Sequence, residues 1–237
     1  MNRDDLKIKI YADGADAKNI FQLANLPYIK GLTTNPSLMR QAGVKDYKKF
    51  AKEVLGVVKD IPVSLEVFSD EMDGIYEQAR EISQLGENVF VKVPVVNSKG
   101  ESTCAVVSSL IKDKISLNLT AIMTERQIET LLVNIDKDSK VILSVFAGRI
   151  ADTGRDPCPM IKSAVEAVKD FDNTEVLWAS TREVYNIIQA EEIGCHIITM
   201  PYSLIKKLDL FEKDLNEYSR ETAEAFFLDA VRSGYKI

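Results

Sequence analysis

Histidine is almost absent from this chain, whose 237 residues contain only His196. A zinc site built on several histidines is therefore excluded, and a Ser-His-Asp triad would have to use that one residue. The cysteines are also few. Cys104, Cys158 and Cys195 form no CxxC pair, so the sequence indicates neither a disulfide framework nor a zinc site.

Motifs for nucleotide binding and for membrane insertion are missing as well. Neither GxGxxG nor GxxxxGK[ST] occurs, so no cofactor is expected. The chain has no run of about 18 apolar residues, and residues 1–5 lack the apolar stretch of a secretory signal, which predicts a cytoplasmic protein without a membrane partner. The net charge of −6, with no basic block, argues against nucleic acid as the main partner.

The chain does contain a regular alternation of apolar runs and amphipathic stretches. The runs have the length of strands, and apolar residues between them recur at helical spacing, as at Ile75, Ala79 and Ile82. A final helix is predicted at residues 215–232. The eight predicted strands are residues 7–13, 31–35, 62–67, 89–95, 114–122, 140–148, 175–180 and 196–201.

Eight βα units in a chain of this length predict a closed parallel barrel. A doubly wound sheet is the alternative, but it usually has fewer strands and a glycine-rich first turn. No linker or low-complexity segment divides the sequence. We therefore predict an α/β protein, a single (β/α)8 TIM barrel with a C-terminal helix, with residues 1–237 as one domain.

Polar residues recur on one face of these strands. In residues 89–95 the aliphatic face carries Val91 and Val93, so Lys92 is predicted to point into the barrel. A charged lysine there is costly unless it is paired. On the seventh strand, Leu177 and Ala179 are predicted to point outward. The other polar residues predicted to share the inward face are Asp13, Thr33, Asn35, Glu66, Asn118, Thr120, Ser144 and Ser180.

This inward set combines one lysine with two acids, amides and hydroxyls. It lies mostly toward the C-terminal halves of the strands, where barrel enzymes build their active sites. One buried polar residue is often structural, but a set spread over seven strands favours a site. A desolvated lysine beside carboxylates suits imine formation with a carbonyl substrate, followed by C–C cleavage with the acids moving protons.

Five motifs in matching order resemble the transaldolase family, and the chain length is that of its short-chain branch. That branch also contains fructose-6-phosphate aldolases. The resemblance implies transfer of a dihydroxyacetone unit from a ketose phosphate to an aldose phosphate through a Schiff base. The motifs are YAD at 11–13, GLTTNPS at 31–37, VKVPV at 91–95, SVFAGR at 144–149 and ASTR at 179–182.

The resemblance also implies a role for each matching residue. Lys92 forms the Schiff base and Asp13 is the acid/base of aldol cleavage. Glu66, through a water with Thr120, forms and hydrolyses the imine, and Thr33 supports the site. The substrate ligands implied are Asn35 and Asn118 for sugar hydroxyls, and Ser144, Arg149, Ser180 and Arg182 for a terminal phosphate.

The sequence departs from the family pattern at two positions. Gly14 replaces the usual Ser or Thr, and Thr181 replaces a common aromatic residue. The second change leaves open a different anion, such as a sulfonate on the ketose. Family aldolases of this length tend to carry Gln and Tyr where this chain has Glu66 and Phe146.

Several alternatives therefore stay open. An aldolase of the fructose-6-phosphate type would use the same lysine, and a non-catalytic barrel could bind sugar phosphates. A lone surface arginine commonly pairs with a local acid, although we favour ligand binding for Arg149 and Arg182. Short-chain relatives are commonly rings of five or ten subunits, which implies a homo-oligomer with Phe226 and Phe227 as candidate contacts.

Overall fold

The computed structural model describes residues 5–237, which fall into two compact units. The larger unit, residues 7–205, contains every strand. The smaller unit includes residues 206–237. The prediction of one domain over residues 1–237 is not decided by this division and stays a prediction.

Eight parallel strands close into a barrel in the larger unit, which confirms the predicted fold. The strands lie in sequence order and β8 pairs with β1. No strand of the closed barrel lies at an edge, and Val, Ile and Leu are frequent in most of them, as in β4 and β6. The strands are β1 (Lys9–Asp13), β2 (Ile29–Thr33), β3 (Val63–Glu66), β4 (Val89–Pro94), β5 (Leu117–Ile122), β6 (Val141–Val145), β7 (Thr174–Trp178) and β8 (Ile197–Pro201).

The amphipathic stretches form helices between the strands. Helix α4 buries Ile75, Ala79 and Ile82, as their spacing predicts. Side chains cap several helix starts; Asp16, for example, accepts the Asn19 N–H of α1. The helices of this unit are α1 (Ala17–Ala24), α2 (Pro36–Gln41), α3 (Tyr47–Val57), α4 (Met72–Ser83), α5 (Cys104–Lys112), α6 (Glu125–Leu132), α7 (Ala147–Ala151), α8 (Cys158–Ala167), α9 (Tyr185–Glu192) and α10 (Tyr202–Ile205).

An apolar cluster inside the barrel corrects one prediction. Leu177 and Ala179 were predicted to point outward, but they pack with inward residues of the neighbouring strands. The register pairs Leu177 with Ser144 of β6, and paired residues of adjacent strands face the same side of a sheet. Both faces of β7 are apolar, so alternation alone could not orient this strand. The cluster contains Tyr11, Ile142, Leu177, Ala179 and Ile197, with Phe90 and Phe146 against it.

Several strand bounds differ from the prediction: β5 begins at Leu117, and β6 ends at Val145, so residues 147 and 148 lie in α7. At two further ends the difference moves a site residue out of its strand. Strand β2 ends at Thr33, and Asn35 is the N-cap of α2 instead of a strand residue. Strand β7 ends at Trp178, so Ser180 lies in the following turn with a φ of 64°. The predicted parity therefore does not apply to Asn35 or Ser180, whose side chains are oriented by turns.

The smaller unit contains a short 3-10 helix, Lys206–Leu210, and helix α11 (Leu215–Ser233), which confirms the predicted C-terminal helix. Gly234 ends α11 in the left-handed conformation that favours glycine. No residue of α11 is buried, and Phe226 and Phe227 are 70% and 65% exposed. In the part of the chain that the structure describes, no helix is both long and apolar enough to cross a membrane.

Candidate active site

Lys92 and Glu66 form a buried ion pair inside the barrel. The register places Glu66 of β3 beside Lys92 of β4. The lysine Nζ lies 3.0 Å from Glu66 Oε2 and donates to the backbone carbonyl of Thr34 at 2.9 Å. The two side chains are only 7% and 16% exposed. The carboxylate and the carbonyl together offset the removal of the ammonium group from water.

Asp13 ends β1 as a second buried carboxyl. Thr33 Oγ1 donates to Asp13 Oδ1 at 2.8 Å. Burial raises the pKa of Asp13 above its ordinary value. Lys92 and the Thr33 hydrogen bond oppose that rise, and the Glu66 charge adds to it. A raised pKa suits a carboxyl that must both take and return a proton in one turnover.

Three polar side chains form a hydrogen-bonded row across the barrel next to the lysine. Asn118, which the register pairs with Lys92, donates to Ser64 Oγ at 3.0 Å. Ser144 in turn donates to Asn118 Oδ1 at 2.6 Å. All three side chains are buried. The row fixes the Asn118 amide, and it groups Ser144 with the lysine, whereas the resemblance implied the phosphate end.

Two buried hydroxyls near the lysine have no hydrogen-bond partner among the described residues, those of Thr34 and Thr120. Thr120 lies on β5 two residues beyond Asn118, and the register places it opposite Pro94 of β4. A buried hydroxyl without a partner costs about 1–3 kcal/mol. The Thr120 hydroxyl, which shares the inward parity of Asn118, is therefore available to a water or to a substrate oxygen.

Asn35 uses its side chain to start a helix. Its Oδ1 accepts the Leu38 N–H at 3.0 Å and caps α2. An asparagine side chain also has two N–H donors, so the cap leaves donors for a ligand. The Asn-Pro step of the motif has a local purpose too, because Pro36 occupies the first turn of α2, where no backbone N–H is needed.

A cavity of about 310 Å³ lies beside Asp13. Its lining includes Asp13, Gly14, Asn19 and Tyr202. A Cβ added at Gly14 would meet nothing within 4 Å. The departure from Ser or Thr at this position therefore removes a side chain that the space would accommodate.

Close packing of two turns brings the remaining predicted residues to one rim of the barrel. Gly148 of α7 donates its N–H to the Ala179 carbonyl, and a Cβ at Gly148 would lie 1.7 Å from the Ser180 carbonyl oxygen. Only glycine allows this approach. The backbone next to Arg149 is therefore in contact with the turn that contains Ser180.

Arg182 at this rim pairs with Asp152. Its Nε donates to Asp152 Oδ1 at 3.2 Å and its Nη2 donates to Oδ2. These bonds lower the pKa of Asp152, and the nearby Arg149 charge lowers it further. Arg149 itself lies over the Phe146 ring, 5.2 Å from its centroid. The rim thus joins two arginines through one acid, and the pairing of a surface arginine with a local acid is observed for Arg182.

Sequence reasoning missed four groups in this arrangement. Ser64 shares the inward parity of Glu66. Thr199, whose hydroxyl lies 2.5 Å from that of Thr33, shares the inward parity of Ile197, and strict alternation would have identified both. Asp152 lies outside the strands, so no periodicity marks it. The fourth group is the backbone carbonyl of Thr34. Every residue has such a carbonyl, so the residue type does not indicate its role.

Comparison with known proteins agrees with this geometry. The model of the family described as Transaldolase/Fructose-6-phosphate aldolase matches residues 10–236. The chain is 33% identical over 202 residues to a probable transaldolase of Thermoanaerobacter sp., covering 85% of this chain and 89% of that one. It is 33% identical over 204 residues to a probable transaldolase of Thermoplasma volcanium, covering 85% and 87%.

A further relative extends this agreement to almost the full length. A probable transaldolase of Clostridium acetobutylicum is 31% identical over 223 residues, which cover 92% of this chain and 99% of that one. The region matched by the family model contains the buried lysine, both acids and the arginine rim. This chain is therefore an enzyme of the transaldolase/fructose-6-phosphate aldolase family.

Proposed function

We propose that the protein is a transaldolase that carries a dihydroxyacetone unit from a ketose phosphate to an aldose phosphate as an adduct of Lys92. The observation that carries this proposal is the buried Lys92–Glu66 pair inside the barrel. A lysine with one adjacent carboxylate has both the nucleophile and the proton acceptor needed for imine formation.

In the first step Glu66 takes a proton from the Lys92 ammonium, and the neutral amine adds to the ketone carbonyl. The carbinolamine then loses its hydroxyl as water with a proton returned from Glu66, which leaves an iminium. Thr120 supports this exchange by holding the water, since its buried hydroxyl has no partner among the described residues.

In the second step Asp13 removes the proton of the substrate hydroxyl on the far side of the bond that breaks. The electrons of that C–C bond move to the iminium, which leaves an enamine on Lys92 and releases an aldehyde. An acceptor aldehyde reverses these events, with Asp13 returning its proton to the new hydroxyl. Hydrolysis of the imine then releases the product ketose. A carboxyl of raised pKa fits this alternation.

At the rim, Arg149, Ser180 and Arg182 bind the terminal phosphate. Guanidinium groups match the geometry of an oxyanion. Because Arg182 pairs with Asp152, the incoming phosphate must compete with that carboxylate for the guanidinium. Substrate binding therefore includes an exchange of anions at Arg182.

Reduction with borohydride in the presence of fructose 6-phosphate tests the proposal. The expected result is a sugar adduct on Lys92, located by peptide mass analysis, and a faster release of glyceraldehyde 3-phosphate when erythrose 4-phosphate is added. Rapid release of dihydroxyacetone and glyceraldehyde 3-phosphate without acceptor would identify an aldolase instead. An adduct on another lysine, or none with any phosphorylated or sulfonated ketose, would contradict the Schiff-base assignment.

We also infer that the protein forms a homo-oligomer of five or ten subunits. The number of subunits is what the resemblance to the short-chain branch implies. The exposure of Phe226 and Phe227 on α11 supports an interface, because exposed large apolar side chains are common at interfaces. Light scattering should give a mass of five or ten chains for the natural protein, and a smaller mass for the Phe226→Ser, Phe227→Ser double variant. A monomeric natural protein would contradict the inference.

A further inference from the structure

Three side chains from three neighbouring strands form a chain of hydrogen bonds that ends on Asp13. Thr33 Oγ1 of β2 donates to Asp13 Oδ1 at 2.8 Å, and the same Oγ1 lies 2.5 Å from Thr199 Oγ1 of β8. Strand β1 lies between β2 and β8 and pairs with both. Both threonines are buried. The reaction steps described above make no use of Thr199.

The number of hydroxyl hydrogens determines which group donates in each of these hydrogen bonds. A threonine hydroxyl has one hydrogen and two lone pairs. Thr33 gives its only hydrogen to Asp13, so in the contact between the two hydroxyls Thr199 must be the donor. We propose that Thr199 is a positioning residue whose hydroxyl donates to Thr33 and thereby fixes Thr33 as the donor to ionised Asp13.

A second threonine holds Thr199 in place. The buried Thr181 hydroxyl donates to the backbone carbonyl of Thr199 at 2.7 Å. Thr181 follows Ser180, whose positive φ turns the chain after β7. The threonine that departs from the family pattern thus bonds directly to the residue that starts the chain of hydroxyls. A phenylalanine side chain, which has no hydrogen-bond donor, could not make this bond to the carbonyl.

The direction of the effect on Asp13 follows from charge. When Asp13 is ionised, its charge polarises both hydroxyl bonds, and bonds to a charged acceptor are about twice as strong as neutral ones. When Asp13 is protonated, Thr33 can turn its hydrogen toward Thr199, but both bonds are then between neutral groups. Thr199 therefore favours the ionised carboxylate.

The other groups that act on Asp13 come from different strands. Lys92 of β4 lowers its pKa and Glu66 of β3 raises it. On the two strands paired with β1, the described residues add no further charge near Asp13, because β8 carries no ionisable side chain and Lys30 of β2 is exposed three residues before Thr33. The two threonines are thus the means by which β2 and β8 influence this acid.

A direct measurement of the Asp13 pKa tests the proposal and needs no substrate. Carboxyl-carbon NMR of protein labelled at aspartate follows the titration, and Asp13→Asn identifies the signal. Thr199→Val, which keeps the shape and removes the hydroxyl, should raise the pKa of Asp13 by about 0.5–1 unit, since one net hydrogen bond corresponds to such a shift. Thr199→Ser should restore the natural value. Thr174→Val is the matched control, because Thr174 is a buried threonine at the start of β7.

A second readout uses activity and so rests on the proposed function. The acid limb of the kcat/KM profile should move to higher pH by the same amount in Thr199→Val, while borohydride trapping on Lys92 persists. If the natural protein itself gives no trapped adduct, the proposed function is contradicted. The role of Thr199 is then judged from the pKa of Asp13 measured by NMR alone.

Two results would overturn the role of Thr199. One is a pKa of Asp13 in Thr199→Val that equals or falls below the natural value. The other is an equal rise in Thr174→Val, which would indicate a general effect of lost hydroxyls. If Thr199→Val does not fold, Thr199→Cys replaces it, because a thiol is a weaker donor of similar size and should give a smaller rise in the same direction.

Discussion

The lysine end and the proposed phosphate end of this site are built differently. Around Lys92, the functional side chains Asp13, Glu66 and Asn118 extend from barrel strands, are buried or half-buried, and lie in register with a neighbouring strand. At the rim, Arg149 and Arg182 lie in connections after strands, and the Arg182 side chain is 49% exposed. Its partner Asp152 is 54% exposed. The residues of the proposed covalent chemistry are therefore held by the barrel, whereas the residues proposed to recognise the end of the substrate lie in segments that follow strands.

This contrast has an energetic consequence. Removing one partner of a buried charge pair lowers the stability strongly, because the remaining charge has neither a partner nor water. A pair of exposed charges contributes about 0–1 kcal/mol and can be exchanged for another ion. On the proposed function, an exchange of anions at the rim would therefore disturb the fold less than a change at the lysine end.

Replacing Lys92 should have the largest effect. Lys92→Met should abolish activity and borohydride trapping, because it removes the amine proposed to form the imine. The variant should still fold, but with lower stability, since Glu66 loses its partner; the loss should be about 3 kcal/mol. Urea titration measures it, and Lys92→Met combined with Glu66→Gln should recover most of the loss. Equal stabilities of the single and double variants would show that the unpaired charge of Glu66 is not the cause of the lost stability.

Arg182→Ala should have the next largest effect, and only on anionic substrates. Loss of a charge-assisted contact of about 1.5–3 kcal/mol would lower kcat/KM for fructose 6-phosphate roughly 10- to 150-fold. Dihydroxyacetone has no anion, so its use as a donor should change little. Steady-state kinetics with both donors gives the comparison. Similar losses with both donors would mean that Arg182 serves the fold and not the phosphate.

The barrel and the inward polar set were predictable because strand alternation and burial act residue by residue. Lys92 between Val91 and Val93 is an example, and the structure buries it beside Glu66. Alternation failed at β7, where Leu177 and Trp178 are both apolar and only the register with β6 decides the orientation.

The rim was predictable only in part. The resemblance supplied Arg149 and Arg182, but the partner of Arg182 depends on how two loops meet in space. The distance of 30 positions between Asp152 and Arg182 carries no periodic signal. The same is true of Thr199 and Thr33, which lie 166 positions apart.

A change of reaction type should need substitutions at the lysine end. Glu66→Gln with Phe146→Tyr replaces two residues by those of family aldolases. Glu66 contacts Lys92, and Phe146 packs against the cluster inside the barrel. We expect a several-fold increase in dihydroxyacetone release without acceptor, because the enamine is protonated and hydrolysed more readily when the catalytic water is held differently. Tyr185→Phe, an exposed aromatic on α9, is a control that should leave release unchanged.

Asp152→Asn should have the smallest effect, and its sign is opposite to that of Arg182→Ala. The carboxylate of Asp152 bonds the guanidinium through both oxygens and competes with the substrate phosphate. Asparagine keeps the shape but removes the charge, so Arg182 should be released more easily. KM for fructose 6-phosphate and the inhibition constant of inorganic phosphate should both fall about two- to fivefold, the range of a weak exposed ion pair. The turnover number should stay the same, because Lys92, Glu66 and Asp13 are untouched. Asp170→Asn removes an equal charge elsewhere on the surface and should leave both constants unchanged. A rise in both constants in Asp152→Asn would mean that the acid orients Arg182 for the phosphate instead of competing with it.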